Sequence, residues 1–150
     1  MIGDSLYKSL MEYALRALAR RAHTSAELRQ KLRRRPHHSN ELEELVLSRL
    51  IELKLIDDEA FVKRQVETAQ TFRHEGLFKV AYKLQKKGIL QDEVKRHWRA
   101  TGVREEDIAR EALKKIAGKG ADFEKRARYL AGRGFSPETI YKVLKRTELS

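Results

Sequence analysis

Apolar residues recur at three- and four-residue steps along almost the whole chain, and alternation with period two is nearly absent, the pattern of amphipathic helices rather than strands. In the first segment Leu6, Leu10, Tyr13, Ala14, Ala17 and Leu18 share one face, with Lys8, Glu12, Arg16 and Arg20 elsewhere. Thr24-Ser25-Ala26-Glu27 has the spacing of a capping box and predicts a second helix that turns Leu28 and Leu32 inward and stops before Pro36. Ser39 is placed to cap a third helix bearing Leu42, Leu45, Val46, Arg49 and Leu50. Leu53-Lys54-Leu55-Ile56 then leads to Asp57-Asp58-Glu59, whose charge suits the start of a helix carrying Phe61, Val62, Val66 and Ala69. Near the end, Ser136-Pro137-Glu138 is a cap followed by proline at the first helical position. With only two prolines and eight glycines to interrupt helices, the prediction is an all-α fold.

The helical pattern also repeats. When Leu32, Leu84 and Leu130 are superposed, each is followed by a basic stretch and a stop: Arg33-Arg34-Arg35-Pro36-His37, Gln85-Lys86-Lys87-Gly88-Ile89 and Ala131-Gly132-Arg133-Gly134-Phe135. Counting on, Leu42, Val94 and Ile140 coincide, as do Val46, Trp98 and Leu144. Glycine in the second and third copies fits a left-handed helix cap, with the next apolar residue folding back on the last turn. Pro36 breaks that rule, so the first turn must differ. The chain is thus expected to be a tandem, elongated array of three three-helix, helix-turn-helix-like repeats over residues 1–56, 57–103 and 104–150, in which each repeat contacts only its neighbours.

Composition narrows the function. Lys and Arg number 33 against 22 Asp and Glu, a formal charge of +11 with a pI near 10.0 and a mean hydropathy of −0.66. The three repeats carry +4, +3 and +4, so the excess is spread along the chain and favours a polyanionic partner. The absence of cysteine excludes disulfides, thiolate metal sites and a thiol nucleophile. Uncharged runs fall far short of the ~20 residues that span a bilayer, and Met1-Ile2-Gly3-Asp4 has no secretory character. A soluble, cytoplasmic protein is expected.

Several stretches resemble the RecX recombination regulators. Ala14-Leu15-Arg16-Ala17-Leu18-Ala19-Arg20-Arg21 with Thr24 through Leu32 looks like that family's opening motif. Leu55-Ile56-Asp57-Asp58-Glu59-Ala60-Phe61 is similar to its leucine–aspartate–glutamate–phenylalanine signature. Gly76 through Leu84 to Lys87-Gly88-Ile89 matches the central motif and Arg133-Gly134-Phe135 the third. Departures are Pro36-His37, where lysine–glycine is usual, and a poorly matched first helix in the second repeat. The resemblance implies an array of three-helix repeats that binds the RecA recombinase and its nucleoprotein filament, damping strand exchange and DNA-dependent ATP hydrolysis. It implies neither enzymatic activity nor a cofactor.

Candidate contact residues are the basic clusters at equivalent places in the repeats. Arg33, Arg34 and Arg35 form the densest run, beside Arg29. Arginine at a helix C-terminus also stabilises the dipole by about 0.3–1 kcal/mol, but a consecutive run points around a helix and cannot all serve that end. Lys79, Lys83, Lys86 and Lys87 form a second cluster, and Lys125, Arg126, Arg128 and Arg133 a third. Contact with DNA phosphates or the filament is one reading of these clusters; solvated surface is the other. Tyr82 is the candidate for base stacking or partner contact, whereas Trp98, Phe61, Phe135 and Ile89 read as core. Phe72 and Phe78 flank Arg73-His74-Glu75-Gly76 and either pack a loop or face a partner.

Asp57-Asp58-Glu59 reads as a helix cap or as an acidic contact for a basic surface. The five histidines lack zinc spacing. Gly118-Lys119-Gly120 lacks the upstream glycine and the following Ser or Thr of a phosphate loop, and no nucleophile–base pair is evident. The expectation is a non-enzymatic, monomeric regulator that engages no membrane, with no cofactor and no small-molecule substrate. A general helical DNA-binding protein that needs no recombinase is the alternative.

Overall fold

The computed structural model describes residues 2–116, 120 and 122–149. Met1, at the head of the segment considered as a signal, and Gly118 and Lys119, considered as part of a phosphate loop, lie outside the described residues. Among those described, the chain forms nine α-helices and no strand: α1 (Ile2–Arg20), α2 (Ser25–Arg33), α3 (Asn40–Glu52), α4 (Asp58–Thr68), α5 (Leu77–Lys86), α6 (Gln91–Ala100), α7 (Glu105–Leu113), α8 (Phe123–Gly132) and α9 (Pro137–Leu149). α4 runs on into a wide π-helical turn, Ala69–Arg73, which ends on left-handed His74 (φ 53°).

The start signals act as read. Thr24 accepts from the Glu27 amide while the Glu27 carboxylate accepts from the Thr24 amide, both at 3.1 Å, a reciprocal box of about 1 kcal/mol. Ser39 accepts from Leu42 N at 3.1 Å, and Ser136 from Thr139 N at 3.1 Å. Asp57 caps α4 through the Ala60 amide at 3.0 Å. Its neighbour Asp58 accepts instead from the amide and hydroxyl of Ser25, at 2.8 and 2.5 Å, and so ties the start of α4 to the start of α2.

Contacts divide the chain into two compact units, Met1–Phe61 with Lys87–Ile89, and Val62–Lys86 with Leu90–Ser150. In the first, α1 and α2 pack on α3 around Leu10, Ala14, Ala17, Leu28, Leu32, Val46, Leu47, Leu50 and Ile56. The Lys87–Ile89 turn joins this unit because the Thr24 hydroxyl donates to the Lys87 carbonyl at 2.7 Å. Gly88, at φ 84°, lies against Ala26 so closely that a Cβ would collide with the alanine methyl.

In the second unit α5 packs on α6, and α7 and α8 pack on α9, with Val80, Leu84, Val94, Trp98, Ile108, Leu130, Phe135 and Leu144 buried. Trp98, Phe61, Phe135 and Ile89 are core residues as expected, and Phe72 and Phe78 are exposed.

The register of the first repeat differs from the expected one. From Leu32 to the cap Ser39 the chain is one residue longer than from Leu84 to Leu90 or from Leu130 to Ser136, and His37 (φ 62°) takes the left-handed role of Gly88 and Gly134. Counted from the caps, the third helices superpose Glu43 with Val94 and Ile140, Val46 with His97 and Val143, and Leu47 with Trp98 and Leu144. The burial of α3 follows this register: Glu43, Val46, Leu47 and Leu50 face inward, while Leu45 is 52% exposed. The pairing of Leu42 with Val94 and of Val46 with Trp98 is therefore corrected.

Candidate functional site

Glu43 occupies a core position that the other repeats fill with aliphatic residues, and its carboxylate organises the first basic cluster. Its side chain is 2% exposed and accepts from Arg29 Nη1 at 2.6 Å, Arg33 Nε at 2.9 Å and His38 Nε2 at 2.9 Å. Arg29 also pairs with Glu44. Burial raises the Glu43 pKa, but the bonds from Arg33, His38 and Arg29 outweigh it and hold the carboxyl below its ordinary value. Two of the predicted contact residues are thus already engaged. Arg33 remains about half exposed, with its backbone at the end of α2. Arg35 lies 4.3 Å over the Tyr13 ring, and Arg34 makes no ion pair among the described residues.

Glu75 organises the second cluster in the same manner. It is buried and accepts from Lys83 at 2.8 Å and pairs with Lys79 at 3.2 Å, four residues on. Burial again raises its pKa, and the two lysines carry it below the ordinary carboxylate value. Lys86 and exposed Tyr82 form their own pair, with the ammonium 4.5 Å from the ring centre. Lys87, in the first unit, lies 5.2 Å over Phe61. Tyr82 is 57% exposed, as its candidacy for stacking requires.

In the third cluster Arg133 turns inward along the backbone. Its guanidinium donates to the His74 carbonyl at 3.0 Å and to the Arg73 carbonyl, and lies 5.7 Å from the Tyr129 ring centre. Lys125 and Arg128 are exposed and Arg126 is half-buried; none makes an ion pair among the described residues. Ten of the twelve predicted cations therefore fall into two kinds, with Lys87 and Arg126 half-buried and in neither. Arg29, Arg33, Lys79, Lys83 and Arg133 are fixed by protein acceptors, whereas Arg34, Arg35, Lys86, Lys125 and Arg128 present exposed charge.

Sequence reasoning missed the two buried carboxylates and His23. His23 is buried, with Nδ1 3.0 Å from the Arg21 carbonyl and Nε2 2.8 Å from Lys31 Nζ. Nδ1 must donate and Nε2 accept, which requires the neutral ring. Burial lowers its pKa, and the charges of Arg21 and Lys31 reinforce the effect. The signal for Glu43 lay in the stripe Glu43, Val46, Leu47 and Leu50, which has helical core spacing. Among the described residues no group of three or more His, Asp or Glu is placed to hold a metal ion, and no helix is long and apolar enough to cross a membrane.

Three-helix units in series, closed by left-handed turns and carrying cations steered by buried carboxylates, define a helical-repeat protein with a basic surface. The model of the family described as "RecX, first three-helix domain" matches residues 11–50. The chain is 32% identical over 151 residues to the regulatory protein RecX of Prosthecochloris aestuarii, covering 95% of this chain and 96% of the relative. It is 32% identical over 142 residues to that of Chlorobaculum tepidum, covering 91% and 87%. The chain belongs to the RecX family of regulatory proteins. Its fold also matches a crystal structure of RecX from Lactobacillus salivarius at a TM-score of 0.73 and 20% identity, over 96% of this chain and 97% of that one. A second RecX crystal structure gives 0.74 at 21% identity, over 93% and 73%.

Proposed function

We propose that the chain is a non-enzymatic regulator that binds the RecA recombinase and its DNA filament and inhibits strand exchange and DNA-dependent ATP hydrolysis, modulating recombination and DNA repair in the cytoplasm. Family membership along nearly the whole chain carries this reading. The repeats over 1–56, 57–103 and 104–150 serve as its working modules, and contacts to several protomers and phosphates add avidity that one module lacks. Arg34, Arg35, Lys86, Lys125 and Arg128 supply exposed charge for phosphates, and Tyr82 beside Lys86 supplies a ring for an unstacked base. Arg29, Arg33, Lys79, Lys83 and Arg133 act in this scheme by holding the shape of the surface rather than by meeting phosphate alone.

The test is ATP hydrolysis by RecA on single-stranded DNA at near-physiological salt, titrated with this protein while DNA binding is followed in the same samples. Inhibition at amounts far too small to coat the DNA is expected. Inhibition only at DNA saturation, or none, would point to a general DNA-binding protein instead.

A further inference from the structure

One face of the first unit has the wrong charge for DNA. In a chain of net charge +11, the outer surface of α3 exposes Glu41, Glu44 and Glu52, of which Glu44 is paired with Arg29 of α2 and Glu52 with Arg49 at 2.9 Å, leaving Glu41 without an ion pair among the described residues. Between and beyond these carboxylates lie Leu45, Ile51, Leu53 and Leu55, each about half exposed. Single exposed apolar residues are ordinary, but four within residues 45–55 are a concentration of the kind that marks an interaction surface.

This surface also has relief. Ile51 lines a concavity of about 360 Å³ together with Ser25, Lys54, Ile56, Asp57 and Asp58. Asp58 is occupied by Ser25, and one Asp57 oxygen by the Ala60 amide. The other Asp57 oxygen has no partner among the described residues. An apolar wall meeting a carboxylate in one concavity fits the aliphatic stem and charged head of lysine or arginine. Phosphate would meet repulsion from the same groups.

We infer that this face docks a basic protein segment carrying an apolar anchor beside a lysine or arginine, and that it holds the recombinase protomer rather than DNA. The inference rests on the reading of the chain as a recombinase regulator, and it assigns protein contact to α3 and the following turn. The cations Arg34 and Arg35, at the end of α2, are left for nucleic acid.

The test uses the full chain with Leu45→Lys and Ile51→Lys together, since both side chains are already half in water and lysine is a good helix former. Circular dichroism and thermal unfolding establish that the variant is folded. Affinity for DNA-free recombinase, affinity for single-stranded DNA and the sedimentation of the protein alone are measured for both chains. The expected result is a loss of recombinase affinity of about tenfold or more, with DNA affinity unchanged or raised. Undiminished recombinase affinity in a folded variant would overturn the docking face while leaving the regulator reading intact. An unaltered chain that fails to bind recombinase would overturn both. A dimer of the unaltered chain that the substitutions dissolve would overturn the proposed occupant in favour of a second copy.

Discussion

The amide of Gly76 donates to the carbonyl of Arg133 at 2.8 Å, so the turn that ends α8 caps the start of α5. Phe78 N adds a second bond, to the Gly134 carbonyl at 3.1 Å. Helix α5 has no side-chain cap at Gly76, and these carbonyls satisfy two of its free amides. The approach leaves no room: a Cβ on Gly76 would strike the Gly134 backbone, and one on Gly134 would strike the backbone of Lys79. Gly134 is also left-handed, at φ 90°. Gly76→Ala or Gly134→Ala should cost about 3 kcal/mol or more of stability. Urea unfolding measures it, and a loss comparable to that of an exposed helical substitution would mean the turn yields easily.

Glu43 separates two accounts of a buried charge. Glu43→Gln removes the anion from Arg29, Arg33 and His38, but both arginines keep enough water to be solvated again. The expected loss is about 2 kcal/mol. Glu43→Ile restores what the other repeats hold at that position and should stay within about 1 kcal/mol of the unaltered chain. Both values come from equilibrium unfolding. An isoleucine variant as unstable as the glutamine one would show that the arginines need the carboxylate.

Exposed and engaged cations should differ in how salt affects DNA binding. Replacing Arg34 and Arg35 by alanine should flatten the plot of log affinity against log salt for single-stranded DNA by about 1.4. Replacing Lys79 and Lys83 leaves Glu75 buried without its partners and should cost about 2 kcal/mol of stability, with a smaller change in slope. Equal slope changes for the two pairs would mean that Glu75 releases its lysines when DNA arrives.

Stability should fall with acid in two stages. The His23 pKa is lower in the folded chain than its ordinary 6.5, chiefly through burial, so the unfolded chain binds the proton first. The stability His23 contributes is complete above 6.5 and is lost as pH falls through the folded pKa. Glu27, Glu43 and Glu75 are likewise lowered from 4.5, and their contribution disappears below that value by the same sign. The unfolding free energy should therefore decline first below about pH 6.5 and again below about pH 4.5. His23→Gln should remove the first decline and keep the second. A flat profile between pH 7 and 5 in the unaltered chain would contradict the neutral, buried ring.

Local grammar carried most of the fold. Thr24, Ser39, Asp57 and Ser136 cap where their spacing indicated, and Gly88 and Gly134 adopt the left-handed turn with Ile89 and Phe135 folded back into the core. These are interactions between residues a few positions apart, which a sequence exposes directly. The role of Lys87–Ile89 in the first unit was not legible, because Thr24 and Ala26 reach it across some sixty residues. The basic clusters were found as charge but not as two kinds of charge. Arg29 meets Glu43 fourteen residues later and Lys83 meets Glu75 eight residues earlier, and composition cannot show such pairings.

The extra residue at the first turn constrains how the repeats can be exchanged. A hybrid that joined α6 behind α2 by counting from the leucines would enter the helix one residue out of phase, a rotation of about 100°. Trp98 would then point where Val46 does, and the site of Glu43 would receive a lysine, Lys95. Joined at the caps instead, with Leu90 at the place of Ser39, the same helix would offer Val94 to Arg29 and Arg33 and keep Trp98 in the core. The modules of this protein are interchangeable only at their caps, and a designer of shorter or longer arrays would have to cut there.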